Sequence, residues 1–278
     1  MSAVNFADRR PAVGSTAWRY LRLFGYFVAF SFSRSFEFRF DFYMRIIMDV
    51  VYYSVAIAFF KIILLHTPEL GGWNEPQMMI FVAGYCMVDA LNMTLFSNNM
   101  WQFPLLVNRG DLDYYLIRPV SSLFFISLRD FAANSFVNLL ITLGMFVWAL
   151  GRYPDPIPAW KIPLFLLLML NGTLIFYCLN IMANMMVFFT HSAEGFGHMV
   201  WTMMKFGERP DRIYVGFLRR FVTFVLPFAL IASFPTRLLI EEFSWEILLH
   251  IFGVTACLFA FTLWVWSRAL RAYSSASS

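Results

Sequence analysis

Apolar positions run together along most of this chain. A helix needs about 20 such residues to cross the roughly 30 Å hydrocarbon layer of a membrane. Six stretches are long enough: 44–65, 78–103, 123–150, 162–190, 218–236 and 245–266. The fifth contains Pro227 and Pro235. Proline removes a backbone donor and frees a carbonyl one turn back. That segment is therefore expected to be kinked or partly re-entrant, its freed carbonyls satisfied within protein.

Residues 18–41 are patterned differently. At about 100° per residue, Arg19, Arg22, Arg34 and Glu37 fall within about a third of a helix circumference, a sector that Tyr26 and Phe30 share. A basic, aromatic-rich helix of this kind lies in the membrane interface better than it spans. The first 17 residues are polar, with no small-residue cleavage site after a short apolar core. The expected organisation is a tail at 1–17, an amphipathic helix at 18–41, a six-span domain at 42–268 and a tail at 269–278. All elements are expected to be α-helical.

Composition agrees: 60% of the 278 residues are hydrophobic and 14% charged, with a mean hydropathy of +0.65. A soluble domain carries about 25% charged residues. The net charge of +4 could suggest nucleic acid, but the arginines cluster at the ends of apolar runs, as in membrane proteins, and no nucleic-acid partner is expected. With both termini in the cytoplasm and six spans, seventeen of the twenty-one Lys and Arg fall inside; only Lys61, Arg152, Lys161 and Arg237 fall outside. The positive-inside rule favours that orientation. The outer loops 66–77, 151–161 and 236–245 are too short for a substrate-capture domain.

One polar island stands out: VNRGDLDYYLIRPVSSLF, residues 107–124. Gly110 can end the preceding segment, Asp111 is a good N-cap and Pro119 forbids continuation past Arg118. A helix of about two turns, 111–118, is expected. Asp111, Tyr114, Tyr115 and Arg118 would share an arc of about 100°, with Leu112 and Leu116 adjoining. Such a helix suits docking into a partner's groove, although an ordinary interfacial turn accounts for the same residues.

This stretch resembles a motif of the ABC-2 type permeases, Gly-x-Leu-Asp-x-x-Leu-x-Arg-Pro-Val after the second span. Here it stands as Gly110, Leu112, Asp113, Leu116, Arg118, Pro119 and Val120. Residues 207–240 are similar to a second family segment, Gly-x-x-Pro-x-x-Ile/Val-Tyr leading into a proline-containing fifth span that ends in Phe-Pro. The resemblance covers essentially the whole chain. It implies the architecture of type V-like ABC exporters and a permease subunit in a bacterial inner membrane. It also implies a coupling helix formed by Asp111, Leu112, Asp113, Tyr114, Tyr115, Leu116 and Arg118, seated in an ATPase subunit. The implied partners are two ATPase subunits carrying ATP and Mg, a second permease, identical or paralogous, and membrane lipid. A hydrophobic, amphipathic or cationic compound, or a lipid or glycan, is the implied cargo, moved outward.

The chemistry absent from the sequence is consistent with that division of labour. No G-x-x-x-x-G-K-[ST] occurs, so ATP hydrolysis must come from another chain, and no cofactor is expected on this one. His191 and His198, at i and i+7, lack HExxH or Cys neighbours, so no metal site is expected. No G-x-S-x-G occurs. Cys86, Cys178 and Cys257 all lie in apolar runs and read as small hydrophobes.

Polar residues inside spans are costly and face protein or water. Arg45 and Asp49 are four apart and can pair. Tyr85, Asp89, Asn92, Phe96 and Asn99 share about 80° of the second span, and Thr173, Tyr177, Asn180, Asn184 and His191 share about 60° of the fourth. Interhelical hydrogen bonding explains such stripes, at about 0.6 kcal/mol per bond; so does a translocation pathway lined by Tyr85, Asp89, Asn92, Asn99, Tyr177, Asn180 and Asn184. Asp89 has no basic residue on its own helix, and a carboxylate there could stay protonated or attract a cationic substrate. An ion-coupled secondary transporter using Asp89 is one alternative, but inverted repeats are not legible. A non-transport membrane subunit is another, and no nucleophile–base set is legible for an enzyme.

Overall fold

A computed structural model describes residues 13–35, 39–190, 198–199 and 202–273, and the described residues are helical with no β-strand beyond an isolated bridge. The expected tail over residues 1–12 and the last five residues lie outside it. The amphipathic segment forms α1, Val13–Ser35, starting inside the expected tail. It packs on the protein through aromatic pairs, Tyr20–Phe124 and Phe27–Phe125 edge to face at 4.7 and 5.0 Å and Phe32–Phe131 stacked at 5.6 Å.

Among the described residues, five helical stretches are long and apolar enough to cross a membrane: Phe40–Leu64, Glu75–Asn108, Ala133–Gly151, Lys161–Thr190 and Trp245–Ala272. The first belongs to α2, Arg39–Leu64. The second comprises α3 (Glu75–Asn92), a π-helical turn at Met93–Ser97 and α4 (Asn98–Asn108). Asn74 starts it with a capping box: its side chain accepts from Gln77 N while Gln77 Oε1 accepts from Asn74 N, each at 3.2 Å. The π turn breaks the i to i−4 ladder, and the Thr94 carbonyl accepts instead from Ala132 N at 3.0 Å. Pro104 loosens α4 further.

The stretch expected as one third span is two helices, α6 (Ser122–Leu128) and α7 (Ala133–Gly151). The break between them, 129–132, turns its backbone toward Asn99 and Thr94. Then come α8 (Lys161–Asn184) and α9 (Val187–Thr190). α3 and α8 form the buried centre; α2 and the last helix, Trp245–Ala272, expose most of their surface. Cys86 and Cys178 are buried in this core and Cys257 is exposed; all three are free.

The expected fifth span, 218–236, is not a single helix. Gly216–Arg220 and a π turn at Phe221–Val225 run in, Leu226 and Pro227 break the helix, and Phe228–Leu230 and Ser233–Ile240 run back. Both limbs belong to one end of the molecule. Arg212 pairs with Glu241 at 2.8 Å, and a Cβ on Gly71 would lie 3.2 Å from Ile213. Lys161 Nζ donates to the Glu241 and Leu239 carbonyls at 2.6 and 3.4 Å, capping the return helix. The tip is wedged against α8, where a Cβ on Gly172 would fall 2.4 Å from the Ile231 carbonyl oxygen. Thr190 lies toward the opposite end, beside Phe188, which packs on Phe103, Trp266 and Tyr273. The chain therefore changes ends between Thr190 and Asp211. This corrects the charge map: Arg209, Arg212, Arg219 and Arg220 belong with the 65–74 end rather than with the polar island. The bias keeps its sign and loses strength.

Candidate functional site

The polar island is shorter in helix than its spacing suggested. Gly110 takes φ 76°, a left-handed turn that costs glycine little and other residues more. Leu112, fully buried, drops into the cluster of Phe103, Val107, Leu123 and Ile126. Helix α5 is then only Asp113–Leu116, with Leu112 rather than Asp111 at the N-cap position. The side chains also divide differently. Tyr114 (66% exposed) and Ile117 (81%) face outward. Tyr115 turns inward, its ring 5.4 Å from Phe125 and its hydroxyl accepting from Arg129 Nη1. The Arg118 guanidinium folds back over Phe125, 4.6 Å from the ring centroid.

Behind α5 runs a continuous polar chain. Arg129 Nη2 donates to Gln102 Oε1 at 2.6 Å, and Gln102 Nε2 to Asp130 Oδ2 at 3.2 Å. Arg34 Nη2 donates to Asp130 Oδ1 at 2.5 Å, a bond that raises the pKa of Arg34. Asn99 brackets the Asp130 backbone, donating to its carbonyl at 2.8 Å and accepting from its N–H at 3.0 Å. Ser31 accepts from Phe131 N and Tyr20 from Ser121 N, at 3.0 and 2.8 Å. Helices α1, α4, α5 and α6 are thus joined through side chains. Sequence spacing did not single out Gln102, Arg129 or Asp130, because each looks ordinary until the chain folds back.

The intramembrane stripes separate into two sets. Asn99 holds the backbone of 130, and Tyr177 shares a 2.8 Å hydrogen bond with Ser127 while stacking 4.5 Å from Phe96. Asn184 bonds Asn180 at 2.8 Å on the same helix. These residues have protein partners. Asp89 and Asn92 have no hydrogen bond or ion pair among the described residues, and the Asn92 Oδ1 is buried without a partner.

Asp89 instead faces the charges of Asp49 on α2 and of Glu208. The expected Arg45–Asp49 pair is absent: Arg45 bonds Asp41 at 2.7 Å, one turn the other way. Asp49 accepts from Asn138 of α7. Glu208 accepts from Tyr52 at 3.3 Å and follows Gly207, where a Cβ would lie 3.6 Å from the Tyr85 ring. Sequence reading missed Glu208, which looked like a loop acid, and Asn138, a lone amide in an apolar helix.

A third cluster ties down the re-entrant hairpin. Buried Asp211 accepts from Ser233 Oγ at 2.6 Å, from Arg237 Nη2, and from Arg219 Nε at 3.3 Å. Among the described residues no group of three His, Cys, Asp or Glu could hold a metal ion.

The geometry, then, is a helical membrane body with Tyr114 and Ile117 exposed at one end and an acidic centre without ion pairs at Asp89 within. A family model described as ABC-2 family transporter protein matches residues 50–277. No curated protein and no solved structure matches the chain. That family match spans most of the chain, including the polar island, the acidic centre and the re-entrant hairpin, so the chain belongs to the ABC-2 family of transporter proteins.

Proposed function

We propose that this chain is the permease subunit of an ABC exporter, driven by ATP and Mg bound on a separate ATPase dimer and paired with a second permease, identical or paralogous. The carrying observation is α5: a short helix with Tyr114 and Ile117 bare on its outer side and Tyr115 wired inward. In this reading the ATPase seats on Tyr114 and Ile117. Its closure pushes Tyr115, and the push passes through Arg129 and Gln102 into α4. The π turn and Pro104 then let α4 tilt while α3 stays held in the core.

In this reading α1 lies in the interface of a bacterial inner membrane. The chain makes six passes, so both termini are cytoplasmic with the island. The cargo is a hydrophobic, amphipathic or cationic compound, or a lipid or glycan, sent outward. Gentle extraction from the native membrane and mass spectrometry of what accompanies this chain test the reading. A P-loop ATPase is expected, and Tyr114→Ala with Ile117→Ala should lose it while the permease stays monodisperse. An ATPase that never co-purifies under mild cross-linking overturns the proposal.

A further inference from the structure

The centre of the molecule gathers acceptors without a matching donor. Asp49, Asp89 and Glu208 come from three separate segments. Asp49 stands one turn before Tyr52, which donates to Glu208 at 3.3 Å, and Asp89 stands one turn beyond Tyr85, whose ring abuts Gly207. The Asp89 carboxylate makes no hydrogen bond or ion pair with a described residue. Among the described residues the nearby basic groups stand at the flanks: Arg45 one turn before Asp49, where it pairs with Asp41, and Lys205 and Arg209 on either side of Glu208. Two amides add to the deficit. Asn92, 2% exposed and one turn beyond Asp89, bonds no described residue, and its Oδ1 is buried and bare. Asn138, fully buried, spends its N–H on Asp49 and leaves its own Oδ1 bare. A buried acceptor left bare keeps its full desolvation penalty, and like charges in a low dielectric add to that. A folded protein keeps such a centre at a cost, and intramembrane acids of this kind mark substrate or ion paths.

What would relieve the centre is a positive charge with an apolar body. A bare metal ion does not suit it, since among the described residues no three acidic, His or Cys groups converge as ligands. The walls favour an organic cation. Tyr53, one turn beyond Asp49, and Tyr85, one turn before Asp89, are buried on the same helix faces as those carboxylates, and neither hydroxyl bonds a described residue. Aromatic faces attract quaternary cations and cover their hydrocarbon.

We propose that Asp49, Asp89 and Glu208, with Tyr53, Tyr85 and Asn92, form a binding site for a hydrophobic organic cation of the quaternary ammonium or phosphonium class. This rests on the permease reading and narrows its cargo.

The test is equilibrium binding of radiolabelled tetraphenylphosphonium to the purified full chain in nanodiscs, with tetraphenylborate as the anion of matching shape. No ATPase is needed, so the result stands apart from the co-purification above. Saturable binding of the phosphonium is expected, weakened at least tenfold by Asp89→Asn and by Glu208→Gln and retained within about threefold by Asp89→Glu; the borate should not saturate. The Glu variant separates charge from folding, and Glu208→Gln keeps the test open if Asp89→Asn does not fold. Absence of saturable phosphonium binding, indifference to both neutral variants, or equal binding of the borate would overturn the proposal.

Discussion

Replacing Asp211 by alanine tests how the re-entrant hairpin is held. The carboxylate is 1% exposed and its partner Arg237 9%, so solvent screens the pair little. Asp211 also takes the Ser233 hydroxyl at 2.6 Å, and its backbone N–H reaches Ser233 Oγ at 3.3 Å. The Arg219 contact is half-exposed and contributes little. Removing one member of a buried ion pair strands the other, at about 3–5 kcal/mol. The Arg237 Nε is already without a partner, so alanine would leave a buried guanidinium almost bare. Asp211→Ala is therefore expected to destabilise by about 3–5 kcal/mol. Asp211→Asn combined with Arg237→Met strands no charge and should recover much of the loss, giving a coupling of at least about 1 kcal/mol in a double-mutant cycle. Unfolding titrations in mixed micelles measure both. A single-variant cost below about 1 kcal/mol, or additive effects, would show that this pair does not anchor the hairpin.

The close approach at Gly172 gives a second expectation: Gly172→Val drives a side chain into the Ile231 carbonyl and should cost about 1–3 kcal/mol, read in the same titration. Tyr115→Phe keeps the ring against Phe125 but removes the acceptor for Arg129; ATPase association should persist while substrate-stimulated hydrolysis falls several-fold. Arg34→Met breaks a contact whose arginine is half-exposed, so a stability change of no more than about 1 kcal/mol is expected from thermal melting.

The long apolar helices were legible because burial in lipid or in protein selects the same residues. That degeneracy blurred the hairpin: Pro227 and Pro235 mark residues 218–236 as kinked or partly re-entrant, yet the segment is apolar enough to read as a span as well. Charges misled for a related reason. Arg212 and Arg219 looked like inner-surface residues until Glu241 and Asp211 were found opposite them. The spacing rule that paired Arg45 with Asp49 applies equally to Asp41, and Asn138 on another helix decides between them. In the polar island the sequence marked the place and the chemistry. Which tyrosine faces outward depended on Leu112 being buried and on Phe125 and Arg129, ten or more residues away. Asp89 was visible as an isolated acid; its companion Glu208 was not, because only folding brings it to Tyr52 and Tyr85.

The most direct test of the permease account is a cross-link at Ile117. A chain carrying Ile117→Cys, with exposed Cys257 changed to serine, is treated in native membranes with a short bifunctional maleimide, and the adduct is sequenced. The account predicts a bond to a P-loop ATPase, dependent on the cysteine at 117. Adducts lacking any ATPase, or a residue 117 reachable only from the face opposite the cytoplasm, would contradict it.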